Sequence, residues 1–366
     1  MNRFPFYIFT EQPLKMKKIL LSLFLPLTIV QAQQTVDPPL NVIFLIGDGM
    51  GLSQISAGMY ANNNQTILED FPVIGLSKTH AVKSLVTDSA ASGTAMACGE
   101  KTYNGVIGIS SKNKKLESVL EICEKNGYNS GLIANSSIVH ATPASFYANV
   151  DSRKKYEEIA IQLSESDVDY FIGGGKKHFS EREDARNLMK EMNTVDVVKN
   201  FRACKNSKAK RIGLFTYDEE PPSIIGGRDP LLAEYLTVTL DKLDHREKPF
   251  FLMVEGSQID WVGHANDIDY VTSEFIEFNS AIEVAMNFAK ENANTLVVVT
   301  ADHETGGLAI TKGVTKDFEL VAGFNTVGHS ATMVPVFSYG KFSELFAGIY
   351  ENTQIFYKII EALGVK

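Results

Sequence analysis

The stretch VIFLIGDGMG, residues 42–51, decides the fold class, because an apolar run ends there abruptly in glycines and an acidic residue. Five consecutive apolar residues, VIFLI, are typical of a strand that is covered on both faces. Gly47, Asp48 and Gly49 follow at once. Open α/β sheets bind ligands beyond the carboxyl ends of their strands. The stretch therefore predicts a buried parallel strand that ends at a candidate ligand site, although Asp48 taken alone could equally be a helix cap or a turn residue.

Six further short apolar runs predict more strands of the same sheet, and several of them are also continuous. They are GLIA (131–134), YFIGGG (170–175), RIGLF (211–215), FFLMV (250–254), TLVVVT (295–300) and VPVFSYG (334–340). Between two of these runs, apolar residues recur at helical spacing from Ile268 to Ala289, which predicts an amphipathic helix. This alternation predicts an α/β three-layer sandwich, with a central, mostly parallel sheet flanked by helices.

The net charge and the N-terminal residues limit which partners and which cellular location are expected. The 366 residues carry a formal net charge of −9 at pH 7, whereas a nucleic-acid-binding protein would carry a basic surface, so no nucleic-acid partner is expected. Met16 and two lysines precede the apolar run ILLSLFLPLTIVQA, residues 19–32. This pattern is typical of a secretory signal and is short for a membrane span. We therefore expect residues 1–32 to be a signal region whose true start is Met16, and the mature protein to be periplasmic or secreted, without a membrane span.

Acidic and imidazole side chains follow the predicted strands or stand close by. They are Asp48, Glu255, Asp260, His264, Asp302, His303 and His329. Asp260 and His264 are four residues apart, so on a helix they share one face and can converge on one ion, although a surface Asp–His pair would have the same spacing. Zinc takes nitrogen and oxygen ligands, whereas magnesium prefers oxygen. Three imidazoles with four carboxylates therefore predict a two-zinc set with a harder third site.

Two interpretations of LVTDSAASGTAMACG, residues 85–99, stay open from the residues alone. A helix built almost entirely from small residues can pack very close to its neighbours. A serine at a helix N-terminus, where backbone N–H groups are free, can instead receive an anion. Arg153, in DSRKKY, is a candidate anion clamp because its planar guanidinium suits two phosphoryl oxygens. An arginine in such a basic triplet is, however, commonly solvated surface.

Four long motifs resemble the core motifs of the alkaline phosphatases. They are VTDSAASGTAMACGEKTYNG (86–105), HATPASFYANVDSRK (140–154), FFLMVEGSQIDWVGHA (250–265) and VVVTADHETGG (297–307). They occur in the family's order, and the match runs from about residue 40 to about residue 340. The resemblance implies the fold described above and a phosphomonoester hydrolase with a single catalytic domain over residues 33–366. Small-molecule phosphate monoesters are the implied substrates.

The resemblance also implies a role for each matching residue. Ser89 would be the nucleophile that becomes phosphorylated, and Asp88 would hold Arg153, which binds the phosphate. Two zinc ions and one magnesium ion would complete the site. The implied ligands are Asp260, His264 and His329 for one zinc, Asp48, Asp302 and His303 for the other, and Glu255 and Thr142, with Asp48 bridging, for magnesium.

The chain departs from the pattern of some bacterial relatives in two places. His140 and Trp261 stand where those relatives have aspartate and lysine, so both are expected beside the phosphate. Because an imidazole is a poor magnesium ligand, the resemblance implies a loosely held magnesium ion or a zinc-tolerant third site. Only 25 residues separate His303 from His329. Many relatives carry a longer insertion there, with the crown that builds their dimer, so a crown-type dimer is not implied for this chain.

Two other functions remain compatible with these residues. The first is a phosphodiesterase or another hydrolase of the same fold group. The sulfatases of that group need a Cys-x-Pro-x-Arg context, which the chain lacks, and many of the phosphodiesterases use threonine where this chain has Ser89. The second is a secreted metal- or phosphate-binding protein without catalysis. A turnover assay with a chromogenic phosphomonoester separates an enzyme from such a binding protein.

Overall fold

The computed structural model describes residues 40–246, 248–316 and 319–365, so the predicted signal region lies outside the described residues. The strands are β1 (Asn41–Gly47), β2 (Val73–Lys78), β3 (Asn129–Ser137), β4 (Tyr170–Gly174), β5 (Asp196–Val198), β6 (Ile212–Phe215), β7 (Phe250–Gly256), β8 (Thr295–Thr300), β9 (Glu304–Thr305), β10 (Leu308–Val314), β11 (Glu319–Phe324), β12 (His329–Ser330), β13 (Val334–Gly340) and β14 (Gly348–Glu351). The α-helices are α1 (Leu52–Ala61), α2 (Ser89–Cys98), α3 (Val119–Lys125), α4 (Ala141–Ala144), α5 (Tyr156–Glu165), α6 (Lys177–Ser180), α7 (Leu188–Glu191), α8 (Phe201–Asn206), α9 (Leu232–Asp244), α10 (Gln258–Ala265), α11 (Ile268–Glu291) and α12 (Thr353–Leu363). Short 3₁₀ helices cover Ile67–Asp70 and Ser343–Phe346.

Ten strands form one central sheet, in the order β14-β2-β13-β8-β1-β7-β3-β4-β6-β5. Strand β13 runs antiparallel to β2 and β8, and the other neighbouring pairs of this sheet are parallel. The seven predicted strands are all present, as β1, β3, β4, β6, β7, β8 and β13. The prediction of a mostly parallel central sheet is therefore confirmed.

Two apolar cores lie on opposite faces of the sheet, and β1 contributes side chains to both of them. Val42, Phe44 and Ile46 belong to the core that also contains side chains from α2, α3, α5 and α12. Ile43 and Leu45 belong to the core shared with α1, α9 and α11. Successive side chains of a strand point to opposite faces, so a continuous apolar run satisfies both cores. The three-layer sandwich is therefore also confirmed.

Helix α2 is the helix of small residues in the stretch 85–99, and all ten of its residues are buried. Asp88 caps its N-terminus by accepting a hydrogen bond from the backbone N–H of Ala91 at 3.0 Å. Gly99 ends the helix at φ 73°, a left-handed conformation that glycine adopts without strain. A β-carbon on Gly93 would lie 2.7 Å from Ser145 Oγ. The small side chains therefore do allow the close packing that the sequence suggested.

The strand register brings the polar side chains to one edge of the sheet. In the pairing of β1 with β7, Ile46 lies opposite Glu255, and in the pairing of β1 with β8 it lies opposite Thr300. Asp48 follows Ile46 by two residues, and Asp302 follows Thr300 by two residues. Because parallel strands end at the same edge, the three carboxylates meet there.

Helix α10 follows β7 and carries Asp260 and His264, and α11 comes directly after it. Asn266, at φ 55°, ends α10, and Asp267 then caps α11 by accepting from the backbone N–H of Tyr270 at 3.1 Å. The predicted amphipathic helix from Ile268 onward is confirmed as α11. Along the part of the chain that the structure describes, the helices lack the length and apolar character that crossing a membrane requires.

Candidate active site

The predicted metal ligands lie in three groups at the carboxyl edge of the sheet. The outer group is Asp260, His264 and His329, the inner group is Asp48, Asp302 and His303, and the third group is Asp48, His140 and Glu255. In each group, one candidate ligand atom per residue lies within 4.8 Å of the others. The structure thus brings together residues that are up to 281 positions apart in the chain (48 to 329).

In the outer group, two imidazole nitrogens and a carboxylate converge. His264 Nε2 lies 3.4 Å from Asp260 Oδ2, His329 Nε2 lies 3.3 Å from Asp260 Oδ1, and the two Nε2 atoms are 3.2 Å apart. His264 Nδ1 lies 2.5 Å from the Val327 carbonyl oxygen, and His329 Nδ1 lies 2.8 Å from the Thr87 carbonyl oxygen. A neutral imidazole that donates from Nδ1 keeps a lone pair on Nε2. This geometry fits a zinc ion.

The inner group is fully buried. Asp48, Asp302 and His303 have no exposed surface, and His303 Nε2 lies 3.1 Å from Asp302 Oδ2 and 3.5 Å from Asp48 Oδ1. Gly49 donates its backbone N–H to Asp302 Oδ1 at 3.1 Å, whereas Asp302 Oδ2 has no hydrogen-bond donor. Buried carboxylates are costly unless a cation or several donors compensate them. The two carboxylates and the imidazole therefore fit a second zinc ion.

In the third group, polar atoms are buried without a hydrogen-bond partner. They are Asp48 Oδ1, His140 Nδ1, Thr142 Oγ1 and Glu255 Oε1. Buried polar atoms are almost always paired in folded proteins, so an unpaired set of this kind needs an explanation. Three of the four atoms are oxygens, which is the ligand type that magnesium prefers. The set fits a hard cation, and Thr142, which only the family resemblance had suggested, lies within it.

The carboxylates share an excess of buried negative charge. Burial and the neighbouring carboxylates Asp302, Asp260 and Glu255 raise the pKa of Asp48 well above its ordinary value. Burial also raises the pKa of Glu255, to about 7. The positive charge of Arg153 acts in the opposite direction and lowers the pKa of Asp48. A bound cation would relieve the repulsion that opposes ionisation here.

The pKa of Asp260 shifts in the opposite direction, because imidazole groups surround its carboxylate. Hydrogen bonds from His264 and His329 outweigh burial and lower the pKa of Asp260 well below its ordinary value. The hydrogen bond to Asp260 in turn raises the pKa of His264 to about 9. A cation at this group would therefore compete with protons for the imidazole Nε2 atoms.

Ser89, the first residue of α2, faces the inner group. Only 1% of its surface is exposed, and its Oγ lies 3.4 Å from Asp48 Oδ2 and 3.4 Å from His303 Nε2. The N-terminal turn of α2 offers free backbone N–H groups and a positive dipole end. By contrast, Ser92 Oγ donates to the Asp302 carbonyl oxygen at 2.7 Å. Ser89 is therefore the hydroxyl of this helix that is placed to act on a ligand held by the inner group.

Arg153 is held at the mouth of the site by two hydrogen bonds. Its Nη1 donates to Asp88 Oδ2 at 3.1 Å, and its Nη2 donates to His140 Nε2 at 3.1 Å. Asp88 is itself fixed, since the backbone N–H of Gly105 donates to both of its carboxylate oxygens at 3.0 Å. Although burial opposes it, the charge of Asp88 raises the pKa of Arg153. The guanidinium is thus a cation held in place by Asp88, the residue that precedes Ser89, and its role in binding phosphate stays a prediction.

His140 is a neutral hydrogen-bond acceptor in this arrangement. Burial, reinforced by the charge of Arg153, lowers the pKa of His140 to about 3. The Trp261 ring meets it edge-on, with 5.8 Å between the ring centroids. His140 therefore contacts the arginine directly, and Trp261 packs against His140; that both lie beside the bound phosphate stays a prediction.

Thr305 and Glu304 support the ligands and were not assigned from the sequence. Thr305 Oγ1 donates to Asp260 Oδ1 at 2.5 Å and lies 3.2 Å from His303 Nδ1, so a single hydroxyl contacts ligands of the outer and inner groups. Glu304 accepts from Gln54 Nε2 at 2.8 Å and from Ser330 Oγ, next to His329. The signal in the sequence was their position directly after Asp302 and His303 in ADHETGG.

Comparisons with known proteins show which family this sequence and this fold resemble. A family model described as alkaline phosphatase matches residues 40–321. Alkaline phosphatase 3 of Bacillus subtilis (strain 168) is 34% identical over 413 aligned positions, which cover 88% of this chain and 88% of that protein. The solved structure of the alkaline phosphatase from the Antarctic bacterium TAB5 is 42% identical with a TM-score of 0.85, covering 90% of this chain and 99% of that one. A His-to-Asp mutant of the TAB5 enzyme, described with Mg bound in the M3 site, is 41% identical with a TM-score of 0.84 and the same coverage.

Proposed function

This chain belongs to the alkaline phosphatase family and is a metal-dependent hydrolase of phosphate monoesters, and on that premise we propose that Ser89 is its nucleophile and carries a phosphoserine intermediate. The observation that carries the proposal is the Ser89 Oγ position, 3.4 Å from both Asp48 Oδ2 and His303 Nε2 at the start of a buried helix. The relatives described above are alkaline phosphatases, which favours this reading over a phosphodiesterase.

In the first step, Ser89 Oγ attacks phosphorus in line with the leaving oxygen. The Oγ–P bond forms, the bond from phosphorus to the alcohol oxygen breaks, and the alcohol leaves with a proton. Arg153 and the N-terminal N–H groups of α2 bind the non-bridging oxygens. When bound, the cations supply electrostatic stabilisation of the charge on the attacking and leaving oxygens. A water molecule then attacks the phosphoserine, which releases inorganic phosphate and restores the Ser89 hydroxyl.

We propose two zinc ions, one in the outer and one in the inner group, and one magnesium ion at the third group. The first two groups contain imidazoles, which zinc accepts readily, and the third is mostly oxygen. The TAB5 variant with Mg in its M3 site has an aspartate in place of a histidine, and this chain has His140 at its third group. A nitrogen ligand there suits magnesium poorly, so the magnesium ion is loosely held.

The burial pattern supports a broad range of small phosphate monoesters as substrates. The inner group is fully buried, whereas 40% of the His264 side chain in the outer group is exposed. A phosphate monoester whose phosphoryl group is bound at Ser89 and Arg153 would point its alcohol part towards this open side. The alcohol would then meet solvent rather than a shaped pocket, so its identity would affect turnover little.

We also propose that the enzyme is exported to the periplasm or the medium, on the strength of the signal pattern in residues 1–32.

A crown-type dimer is not proposed. The described part of the stretch between His303 and His329 contains the hairpin of β10 and β11, which packs through Leu308 and its neighbours on α1 and α11.

Trapping the intermediate tests the assignment of Ser89. Incubation with inorganic phosphate at mildly acidic pH, followed by rapid quenching and peptide mapping, should give a phosphopeptide whose modified residue is Ser89. Ser92→Ala is the matched control and should keep the label, because the Ser92 hydroxyl is occupied by the Asp302 carbonyl. Phosphate on Ser92 or Thr94, or a label that survives in Ser89→Ala, would contradict the proposal.

Arg153→Ala should weaken inhibition by inorganic phosphate by about 10-fold to 100-fold, the cost of losing charged hydrogen bonds to the anion. The measurement is the inhibition constant of phosphate in steady-state assays. Lys154→Ala, which removes the neighbouring exposed charge, is the control and should leave the constant near the parental value. An unchanged constant in Arg153→Ala would show that another cation binds the phosphate. Lys101 is poorly placed for this, since its Nζ donates to the His80 carbonyl oxygen at 2.6 Å.

A further inference from the structure

The two carboxylate oxygens of Glu255 have different surroundings. Oε2 accepts hydrogen bonds from Ser257 Oγ at 2.6 Å and from Ser136 Oγ at 3.3 Å. Oε1 is buried and has no hydrogen-bond partner. The carboxylate is therefore held by one oxygen, and the other is left for the third cation site.

Ser257 is held in turn by the neighbouring strand. Its backbone N–H donates to Asn135 Oδ1 at 2.5 Å, and Gln258 Nε2 donates to the Asn135 carbonyl oxygen at 3.0 Å. Asn135 lies near the end of β3, one residue after the position that pairs with Glu255 of β7. The Asn135 amide thus fixes the peptide bond between Gly256 and Ser257, and with it the direction of the Ser257 hydroxyl.

The other end of the Asn135 amide is anchored in a buried ion pair. Asn135 Nδ2 donates to Glu277 Oε2 at 3.0 Å, and Arg228 Nη1 donates to both Glu277 oxygens, at 2.7 and 2.8 Å. Arg228 is 7% exposed and Glu277 is 3% exposed. Arg228 Nη2 also donates to Glu274, so the guanidinium is fully engaged. Breaking such a buried network is costly, which makes it a rigid anchor for Asn135.

We propose that Ser257 and Asn135, anchored on the Arg228–Glu277 pair, are positioning residues that set the affinity of the third site for magnesium. They keep Glu255 Oε1 directed at the cation by holding Oε2 in place. Partners that hold a ligand from behind commonly change metal affinity by about 10-fold to 100-fold when removed. This inference rests on the third cation site proposed above, and it assigns a role to residues that contact neither the phosphate nor the cation.

The test is the magnesium affinity of Ser257→Ala. The purified, zinc-loaded enzyme is dialysed against a series of free Mg²⁺ concentrations, and magnesium and zinc per chain are measured by elemental analysis. Ser257→Ala should need about 10-fold to 100-fold more Mg²⁺ for half-occupancy. Zinc content should stay at the parental value, because the variant alters no residue of the outer or inner group. Asn135→Ala, which removes the support of Ser257, should shift the Mg²⁺ titration in the same direction.

Ser338→Ala is the matched control, since the Ser338 hydroxyl is equally buried but donates to the Ser343 carbonyl oxygen at 2.9 Å, outside the three groups. It should bind Mg²⁺ as the parent does. Parental Mg²⁺ affinity in both Ser257→Ala and Asn135→Ala would overturn the positioning role while leaving the third site intact. A parent enzyme that takes up no Mg²⁺ would overturn the third site itself, and the inference with it. A thermal melt of each variant identifies one that fails to fold, in which case the other decides.

Discussion

Ser89→Ala should lower kcat for a chromogenic phosphate monoester by at least about 10³-fold, because it removes the attacking oxygen while the rest of the site remains. Ser89 Oγ is the hydroxyl that lies 3.4 Å from both Asp48 and His303. A small residual rate is expected from direct attack of water on the bound ester. Steady-state kinetics at saturating substrate measure the loss.

The same variant should keep its fold and its metals. Asp88 still caps α2, alanine is a good helix former at the first position, and Ser89 belongs to none of the three ligand groups. Zinc per chain and the thermal midpoint should therefore match the parent. A variant that keeps a tenth or more of the parental kcat would contradict nucleophilic catalysis by Ser89. A variant that loses zinc would show that Ser89 is a ligand instead.

The sequence could predict the sheet and the ligand groups for a specific physical reason. Strands covered on both faces are continuous apolar runs, and parallel strands end at the same edge. Asp48, Glu255 and Asp302 each follow such a run, so their meeting point followed from the pattern before any contact was known. The four motifs then indicated the family. The sequence did not predict β2, β5 and β14, because VIGLSK, DVV and GIYE contain no more than two consecutive apolar residues.

The hydrogen bonds behind the ligands could not be predicted from the sequence. The bond from Ser257 to Asn135 joins residues 122 positions apart, and it exists only because β3 and β7 are neighbours in one particular register. Thr305 similarly reaches Asp260 across 45 positions. Serine, threonine and asparagine are common in loops and caps, so their identity alone does not distinguish a supporting role from a turn.

Removing the cations with a chelator should lower turnover by at least about 10³-fold, and zinc should restore it, because the charge on the attacking and leaving oxygens then lacks its main stabilisation. His329→Ala should lose zinc from the outer group and keep it in the inner group, because His329 belongs only to the outer one. Steady-state assays measure the turnover, and elemental analysis measures the zinc per chain. Full activity with only one zinc per chain, or none, would contradict the two-zinc proposal.

Metal removal should also change how stability depends on pH, because several ionisable groups of the site have shifted pKa values. In the metal-free protein the pKa of Asp48 is raised, and that of Glu255 is raised to about 7, so the folded chain holds protons that the unfolded chain has released. The contribution of these two carboxyl groups to stability therefore falls as the pH rises above the ordinary carboxyl range, whereas His140, whose pKa is lowered to about 3, contributes in the opposite direction up to about pH 6.5. The pKa of His264, raised to about 9, acts in the same direction as the two carboxyl groups, since its contribution is complete below about pH 6.5 and is lost as the pH passes 9. Bound cations replace these protons, and their binding strengthens as the pH rises. The difference in thermal midpoint between loaded and metal-free enzyme should thus widen from about pH 5 to about pH 9.

Asp48→Asn isolates the charge that causes this dependence. Asp48 is the carboxylate shared by the inner and third groups, and burial together with Asp302, Asp260 and Glu255 opposes its ionisation. In the metal-free state the amide removes that repulsion, so Asp48→Asn should melt at a higher temperature than the metal-free parent at about pH 9, with little difference at about pH 5. In the metal-loaded state the order should reverse, because the variant loses a ligand from two groups at once. A metal-free variant no more stable than the metal-free parent at the higher pH would show that the clustered carboxylates do not destabilise the fold. If they do, the protein gives up stability at this edge of the sheet to hold the cations on which its activity depends.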